Sequence, residues 1–263
     1  MQTRLNNMNM AYSDEGQGRP LLLVHGFPLS RQLWAPQLRG LAGSARVIAP
    51  DLRGHGESEA LSGPYSMDLL ADDCAALLDH LGVTAPALVC GLSMGGYVAF
   101  AFYRKYGARA AGLIFAATKA GADSPEGKAG REKNAALAQE KGAAAIAQAM
   151  LPKMLAPQSY AARPEVVAQA RAMMEGTSVA GVVGALLGMR DRPDSTPTLA
   201  HINKPTLVLH GADDQLIPSK EGEAIAAGIK GATLKLIPGA GHLLNLEQPQ
   251  AFNAAVNGFL QSL

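Results

Sequence analysis

The first residue able to do chemistry is a serine set among small residues. Ser93 lies in Gly91-Leu92-Ser93-Met94-Gly95, a G-x-S-x-G between the apolar run "APALVCG" and a helix-like stretch from Met94 to Tyr106. That setting calls for a strand-to-helix turn so sharp that the serine takes a strained backbone and its flanks must be glycine. Five residues of this pattern recur by chance, and the strand and helix around them give the pattern its weight. A hydroxyl is a weak nucleophile until a base takes its proton and an acid orients the base. His242 in "PGAGHLLNLEQP" and Asp214 in "HGADDQLIP" each follow one of the last two apolar runs. All three residues therefore belong at strand carboxyl ends, where open α/β sheets bind ligands.

The elements that must position them alternate along the chain. Apolar runs at Pro20–Gly26, Ala45–Asp51, Ala85–Gly91, Ala110–Ala117, Lys204–Gly211 and Ala232–Gly239 read as strands of a parallel sheet covered on both faces. Helices are expected over Ser66–Leu81, Met94–Tyr106, Ser219–Ile229 and Pro249–Leu260; the first opens on a capping serine and stops before Gly82. Such alternation implies right-handed crossovers and a doubly wound sheet. From Lys119 to Thr198 it ceases, and alanine- and methionine-rich helical stretches broken by prolines take its place. The chain thus divides into a core, residues 1–118 and 199–263, and a helical insertion, residues 119–198.

Five stretches in order, "LLLVHGFP", "DLRGHGES", "GLSMGGYVAF", "LVLHGADDQLIP" and "GAGHLLNLEQP", resemble the α/β-hydrolase superfamily. The likeness is to its branch of small serine esterases, enol-lactonases, cofactor-free haloperoxidases and C–C bond hydrolases. It spans the core, and the insertion matches a cap, or lid, in position and character only. The resemblance implies an α/β-hydrolase fold, with a mostly parallel sheet and the cap inserted after the sixth strand. It assigns Ser93 as nucleophile, Asp214 as acid and His242 as base, in the family's chain order. The acid usually ends a G-x-x-D, which selects Asp214; Asp213 stays as the alternative, and Asp123 is less favoured. "HGFP" resembles the oxyanion-hole loop, so the backbone N–H of Phe27 would join that of Met94. The implied activity is hydrolysis of small carboxylic esters or lactones through an acyl-enzyme, with no cofactor and no metal. An enol-lactonase and a perhydrolase or haloperoxidase side activity are the alternatives; a ligand-binding protein without turnover is disfavoured by the intact triad. An enol-lactonase needs a cation for its anionic substrate, and Arg131, Arg163, Arg171 and Arg190 are the candidates.

Other residues read as structural. His25 and His55 hold the rim of the oxyanion loop, His80, His201 and His210 are surface or strand-end residues, and Asp72 and Asp73 form a solvated helix face. Trp34 reads equally as pocket wall or core, and Met150 and Met154 are expected to reach the substrate from the cap. A net charge of +1, with basic residues scattered, gives no electrostatic case for nucleic acid or an anionic membrane. No run approaches the ~18 apolar residues of a membrane span, and no apolar leader opens the chain. Two cysteines without metal-type spacing suit a reducing compartment. A cytoplasmic monomer or homodimer acting on a small molecule is expected.

Overall fold

Strands account for the parts of the chain richest in branched apolar residues. The computed structural model describes residues 1–263. Its strands are β1 (Gln2–Leu5), β2 (Met8–Glu15), β3 (Pro20–Val24), β4 (Arg46–Pro50), β5 (Ala87–Leu92), β6 (Ala110–Ala116), β7 (Thr206–Gly211) and β8 (Thr233–Ile237). They form one sheet in the order β1-β2-β4-β3-β5-β6-β7-β8. β2 runs antiparallel to β1 and β4, and every other neighbouring pair is parallel. This is the mostly parallel, doubly wound sheet expected from the sequence. The hairpin of β1 and β2 is an addition to that reading. Asn6 and Asn7 turn it with φ of 46° and 62°, a left-handed backbone that asparagine tolerates better than most residues.

Alternate residues of the central strands feed two separate cores. Leu22, Val24, Val89 and Phe115 join one hydrophobic cluster, and Leu21, Leu23, Leu88 and Ile114 the other. Each cluster lies on one face, because successive side chains of a strand point to opposite faces. Burying such a side chain contributes about 1.5–3 kcal/mol. Helices Met67–His80, Met94–Tyr106 and Ser219–Gly228 cover the first face, and Ala35–Leu41 and Pro249–Gln261 cover the second. The Ser66 hydroxyl caps Met67–His80 by accepting from the Leu69 N–H at 3.1 Å. Asp73 on that helix departs from the solvated face expected for it. It is fully buried, accepts from Arg53 at 2.8 and 3.0 Å, and also takes the Asn6 amide.

Between β6 and β7 the chain is helical. Helix Pro125–Met150 breaks at Gly142 (φ 78°, ψ 177°), and Pro164–Glu175 and Val179–Arg190 follow. Ala138, Ile146, Val182 and Leu186 belong to one sheet-face cluster, and Met154, Met173 and Met174 to the other. These helices therefore share the sheet's cores and do not enclose one of their own. At Gly181 the approach is so close that a Cβ would meet the Gly54 carbonyl. Next to it the Tyr65 N–H donates to the Gly184 carbonyl at 2.8 Å. No single helix is long and apolar enough to cross a membrane; Pro164–Glu175 and Val179–Arg190 reach that length only together, and they meet at 90°.

Candidate active site

Ser93 follows β5 directly and has φ 55° and ψ −114°, a conformation that L-residues adopt only when their surroundings force it. Its N–H donates to the Ala116 carbonyl at 2.9 Å, and its carbonyl accepts from the Thr118 hydroxyl at 2.8 Å and the Gly96 N–H at 2.9 Å. The end of β6 thus grips the turn. Glycine is required on both sides. A Cβ on Gly91 would stand 2.6 Å from the Gly96 nitrogen, and one on Gly95 would stand 2.8 Å from the Val24 carbonyl carbon.

The loops after β7 and β8 bring an acid to a histidine. His242 Nδ1 lies 2.9 Å from Asp214 Oδ2. The other carboxylate oxygen of Asp214 accepts the N–H groups of Leu216 (2.8 Å) and Ile217 (3.0 Å). Burial pushes the Asp214 carboxyl up, but the His242 charge and the hydrogen bonds of His210, His242 and Ile217 outweigh it and hold the group well below the usual carboxylate range. Asp213 points elsewhere and accepts from Gln158 at 3.0 Å. Asp123 is bound to Lys119, Arg131 and Arg192. His242 Nε2 is buried and makes no hydrogen bond. Ser93 and His242 therefore share the carboxyl edge of the sheet without being bonded to each other; such contacts often close only around a substrate.

A further carboxylate fixes the loop of His242. Glu247 is buried, and accepts the Gly241 N–H at 2.8 Å, the Ala156 N–H at 2.7 Å and the Ser159 hydroxyl at 2.6 Å. It ties the segment before His242 to the helical insertion. His210, at the end of β7, is also fully buried, with Nε2 3.4 Å from Asp214 Oδ2. Both residues sit in quoted motifs, but their roles depend on contacts with residues that motif spacing does not show.

The "HGFP" loop follows β3. His25 bridges it to the end of β4: Nδ1 lies 2.9 Å from the Gly26 carbonyl, and Nε2 accepts the Leu52 N–H at 2.9 Å. His55 packs on His25 with ring centroids 5.2 Å apart. Burial lowers the pKa of His25 to about 4 against the pull of its Gly26 bond. Burial and the neighbouring His25 lower that of His55 to about 3. Both rings serve as neutral struts. The Phe27 N–H has no acceptor within the chain. Met94 is the first residue of its helix, where no intrahelical carbonyl reaches the N–H.

A cavity of about 210 Å³ opens over Ser93, lined by Phe27, Tyr97, Lys119, Arg131, Met150, Met189, the Leu216–Pro218 loop and Glu221. Met150 is among these lining residues. Trp34 and Met154 do not line it: both are fully buried in the core, Trp34 against Phe252. Of the four arginines considered, Arg131 faces the cavity, whereas Arg190 pairs with Glu132 and Asp191, and Arg171 with Glu175. Arg163 lies outside it. Lys119, which motif spacing does not mark, also faces the cavity from just after β6, at the same strand-end position as Asp214 after β7. Two larger grooves, about 620 and 610 Å³, lie at the opposite, amino end of the parallel strands.

An eight-stranded sheet of this order, with a serine elbow after β5 and a carboxylate–histidine pair after β7 and β8, defines an α/β hydrolase, and the chain belongs to the alpha/beta hydrolase fold family, whose model matches residues 19–249. Among its relatives is 3-oxoadipate enol-lactonase 2 of Acinetobacter baylyi, 32% identical over 95% of this chain and 92% of the relative. Among solved structures, a thermophilic esterase of Thermogutta terrifontis with malate bound is 44% identical, covers 99% of this chain and 96% of its own, and has a TM-score of 0.96. The enol-lactonase of Burkholderia xenovorans is 30% identical over 99% of this chain and 100% of its own, with a TM-score of 0.92.

Proposed function

We propose that the protein hydrolyses small carboxylic esters or lactones through an acyl-enzyme formed on Ser93. The observation that carries the reading is His242 Nδ1 on Asp214 Oδ2 at 2.9 Å, with Asp214 pinned by two backbone N–H groups. This bond holds the proton on Nδ1 and leaves Nε2 free to act as a base. Ser93 Oγ attacks the carbonyl carbon as His242 Nε2 takes its proton. The oxyanion is received by the N–H groups of Phe27 and Met94, which are free of other work. His242 returns the proton to the leaving alcohol. Water, deprotonated by His242, then attacks the acyl carbon and releases the acid and Ser93. The helices between β6 and β7 act as a cap, supplying Met150, Met189 and Arg131 to the pocket wall. Buried, free Cys74 and Cys90 suit a cytoplasmic setting.

A second reading, an enol-lactonase, is favoured by one observation. Lys119 and Arg131 face the cavity and share one carboxylate, Asp123. With Arg192 they set three cations against Asp123 and Glu221, an excess that suits a lactone bearing its own carboxylate.

A chain-length series of p-nitrophenyl esters tests the main reading, with wild type and Ser93→Ala in parallel. Turnover in wild type, and its loss in the variant, is expected. Equal turnover in both sinks the serine mechanism. Wild type that neither turns over an ester nor takes a fluorophosphonate on Ser93 sinks the hydrolase reading itself.

A further inference from the structure

His210 is a buried titratable residue that the steps above leave unused. It ends β7 next to Gly211, and its side chain and that of Asp214 are both fully buried. Nε2 lies 2.8 Å from the Ile217 carbonyl, an acceptor only, so Nε2 must carry a proton. The same nitrogen is 3.4 Å from Asp214 Oδ2, the oxygen that holds His242. Nδ1 has no partner. Helix Ser219–Gly228 closes over it with Gly222, where an added Cβ would stand 2.7 Å from Nδ1. A proton on Nδ1 as well would bury a charged donor without an acceptor.

Resting on the hydrolase reading, we propose that His210 is a positioning residue that sets the proton affinity of His242 by presenting its Nε2–H to the shared oxygen of Asp214. The Nε2–H draws negative charge from Oδ2. Less charge remains there to stabilise a protonated His242, so His242 stays a free base to lower pH. The same proton holds the Ile217 carbonyl, and so links the acid to the Leu216–Pro218 wall of the cavity. Asp214 and His242 are the titratable groups that meet His210 or its partner oxygen. Glu221, beside Gly222, faces the cavity, and β8 sets Leu236 opposite His210.

The substitutions separate the proton from the ring. Glutamine places an amide N–H near the position of Nε2, asparagine near that of Nδ1, and phenylalanine keeps the ring shape with neither. The readout is the acid limb of kcat/KM, which reports His242 losing its proton. His210→Phe and His210→Asn should move that limb up by roughly half a pH unit, less than a full hydrogen bond to a carboxylate shifts it, because the contact is 3.4 Å and reaches His242 only through Asp214, and His210→Gln should restore it. A limb that coincides with wild type in His210→Phe overturns the proposal, as does a glutamine variant that behaves like phenylalanine. A merely structural role would lower yield and Tm and leave the limb in place. Imidazole nitrogen NMR of the wild-type protein needs no variant to fold. A proton on Nε2 and a bare Nδ1 of His210 are expected, and a proton on Nδ1 overturns the assignment. Fluorophosphonate labelling of Ser93 keeps the two ideas apart. Failure to label wild type counts against the hydrolase reading, while a labelled enzyme with an unmoved limb counts against His210 alone.

Discussion

Replacing Gly95 with alanine tests whether the shape of the elbow is what presents Ser93. The new Cβ would stand 2.8 Å from the Val24 carbonyl carbon and 2.9 Å from the His25 carbonyl oxygen, with the Val24 carbonyl oxygen nearer still. Relaxed carbon contacts begin near ~3.5 Å, so the elbow helix and β3 must part by at least about 0.7 Å. The obstructing atoms are backbone, belonging to β3 and to the loop that carries Phe27, and cannot rotate aside. Overpacking of this kind costs about 1–3 kcal/mol, and each kcal/mol lowers Tm by roughly 2–4 °C in a chain near this size. The chemical cost is larger in proportion. The shift separates Ser93 from the Phe27 N–H, and a displacement near 1 Å can slow a positioned reaction by about 100-fold. Gly96→Ala is the control, because its nearest neighbours are side-chain atoms of Thr118 at 2.5–2.6 Å. Rotation can move Thr118 Oγ1 and Cγ2 aside at the expense of the bond to the Ser93 carbonyl, but Cβ at 2.6 Å moves only with the backbone after β6, so this variant also loses some stability. Urea unfolding and the rate of fluorophosphonate labelling should rank the proteins wild type, Gly96→Ala, Gly95→Ala. A Gly95→Ala protein that unfolds and labels like wild type would refute the steric account of the elbow.

Three further outcomes are expected. Glu247→Leu strands three buried donors, each costing about 1–3 kcal/mol and partly offset by removing a buried carboxylate; urea unfolding should show a loss of roughly 3 kcal/mol, and a loss below about 1 kcal/mol contradicts the clamp. His25 and His55 have native pKa values of about 4 and about 3, so below about pH 6.5 the unfolded chain binds protons that the native rings refuse. Stability therefore falls as pH drops from about 6.5 toward 4, by up to about 1.4 kcal/mol per unit for each ring. His55→Asn keeps a donor for the Arg53 carbonyl and should roughly halve the slope these two rings produce; an unchanged slope by denaturant titration contradicts the depressed pKa of His55. Gly258 lies inside helix Pro249–Gln261 with nothing within 4 Å of an added Cβ, so Gly258→Ala should add about 0.5–1 kcal/mol. A Tm below wild type would count against open space there.

What the sequence disclosed was whatever is encoded locally. Ser93 was legible because a sharp turn dictates glycine within two residues of it, and the branched runs of β5 and β7 because burial on both faces leaves no polar alternation. Where structure depends on distant contacts, residue type alone misled. Asp73 looks like a solvated helix residue until Arg53 and Asn6, from other parts of the chain, are set against it. His210 looks like a strand end until Asp214 folds back over it. Lys119 stands where the strand-end rule places functional residues, and no motif distinguishes it from the arginines of the insertion, of which only Arg131 shares the cavity wall among those named as candidates. The Asn6–Asn7 turn, with Met8 and Met10 buried on either side of exposed Asn9, carries a hairpin signal, weak because the strand before it is only four residues long.

Met154 reaches the site through its backbone and not through its side chain. Its type and place in the insertion suggest a pocket residue, but its side chain fills the core. Its backbone is what meets the site: the Met154 carbonyl accepts the Leu243 N–H at 3.0 Å, one residue after His242. The next few residues repeat the pattern. Ala156 and Ser159 donate to Glu247, which holds Gly241, and Gln158 donates to Asp213 beside Asp214. One segment, 154–159, thus braces both the loop of His242 and the loop of Asp214. Four residues inside the insertion, Met154, Ala156, Gln158 and Ser159, therefore hold the loops of a histidine–carboxylate pair built on β7 and β8, through backbone and polar contacts and without lining the cavity. These contacts couple the insertion to the histidine–carboxylate pair, so under the proposed mechanism a substitution in the segment should reach the reaction through the placement of His242 before it alters which substrates fit.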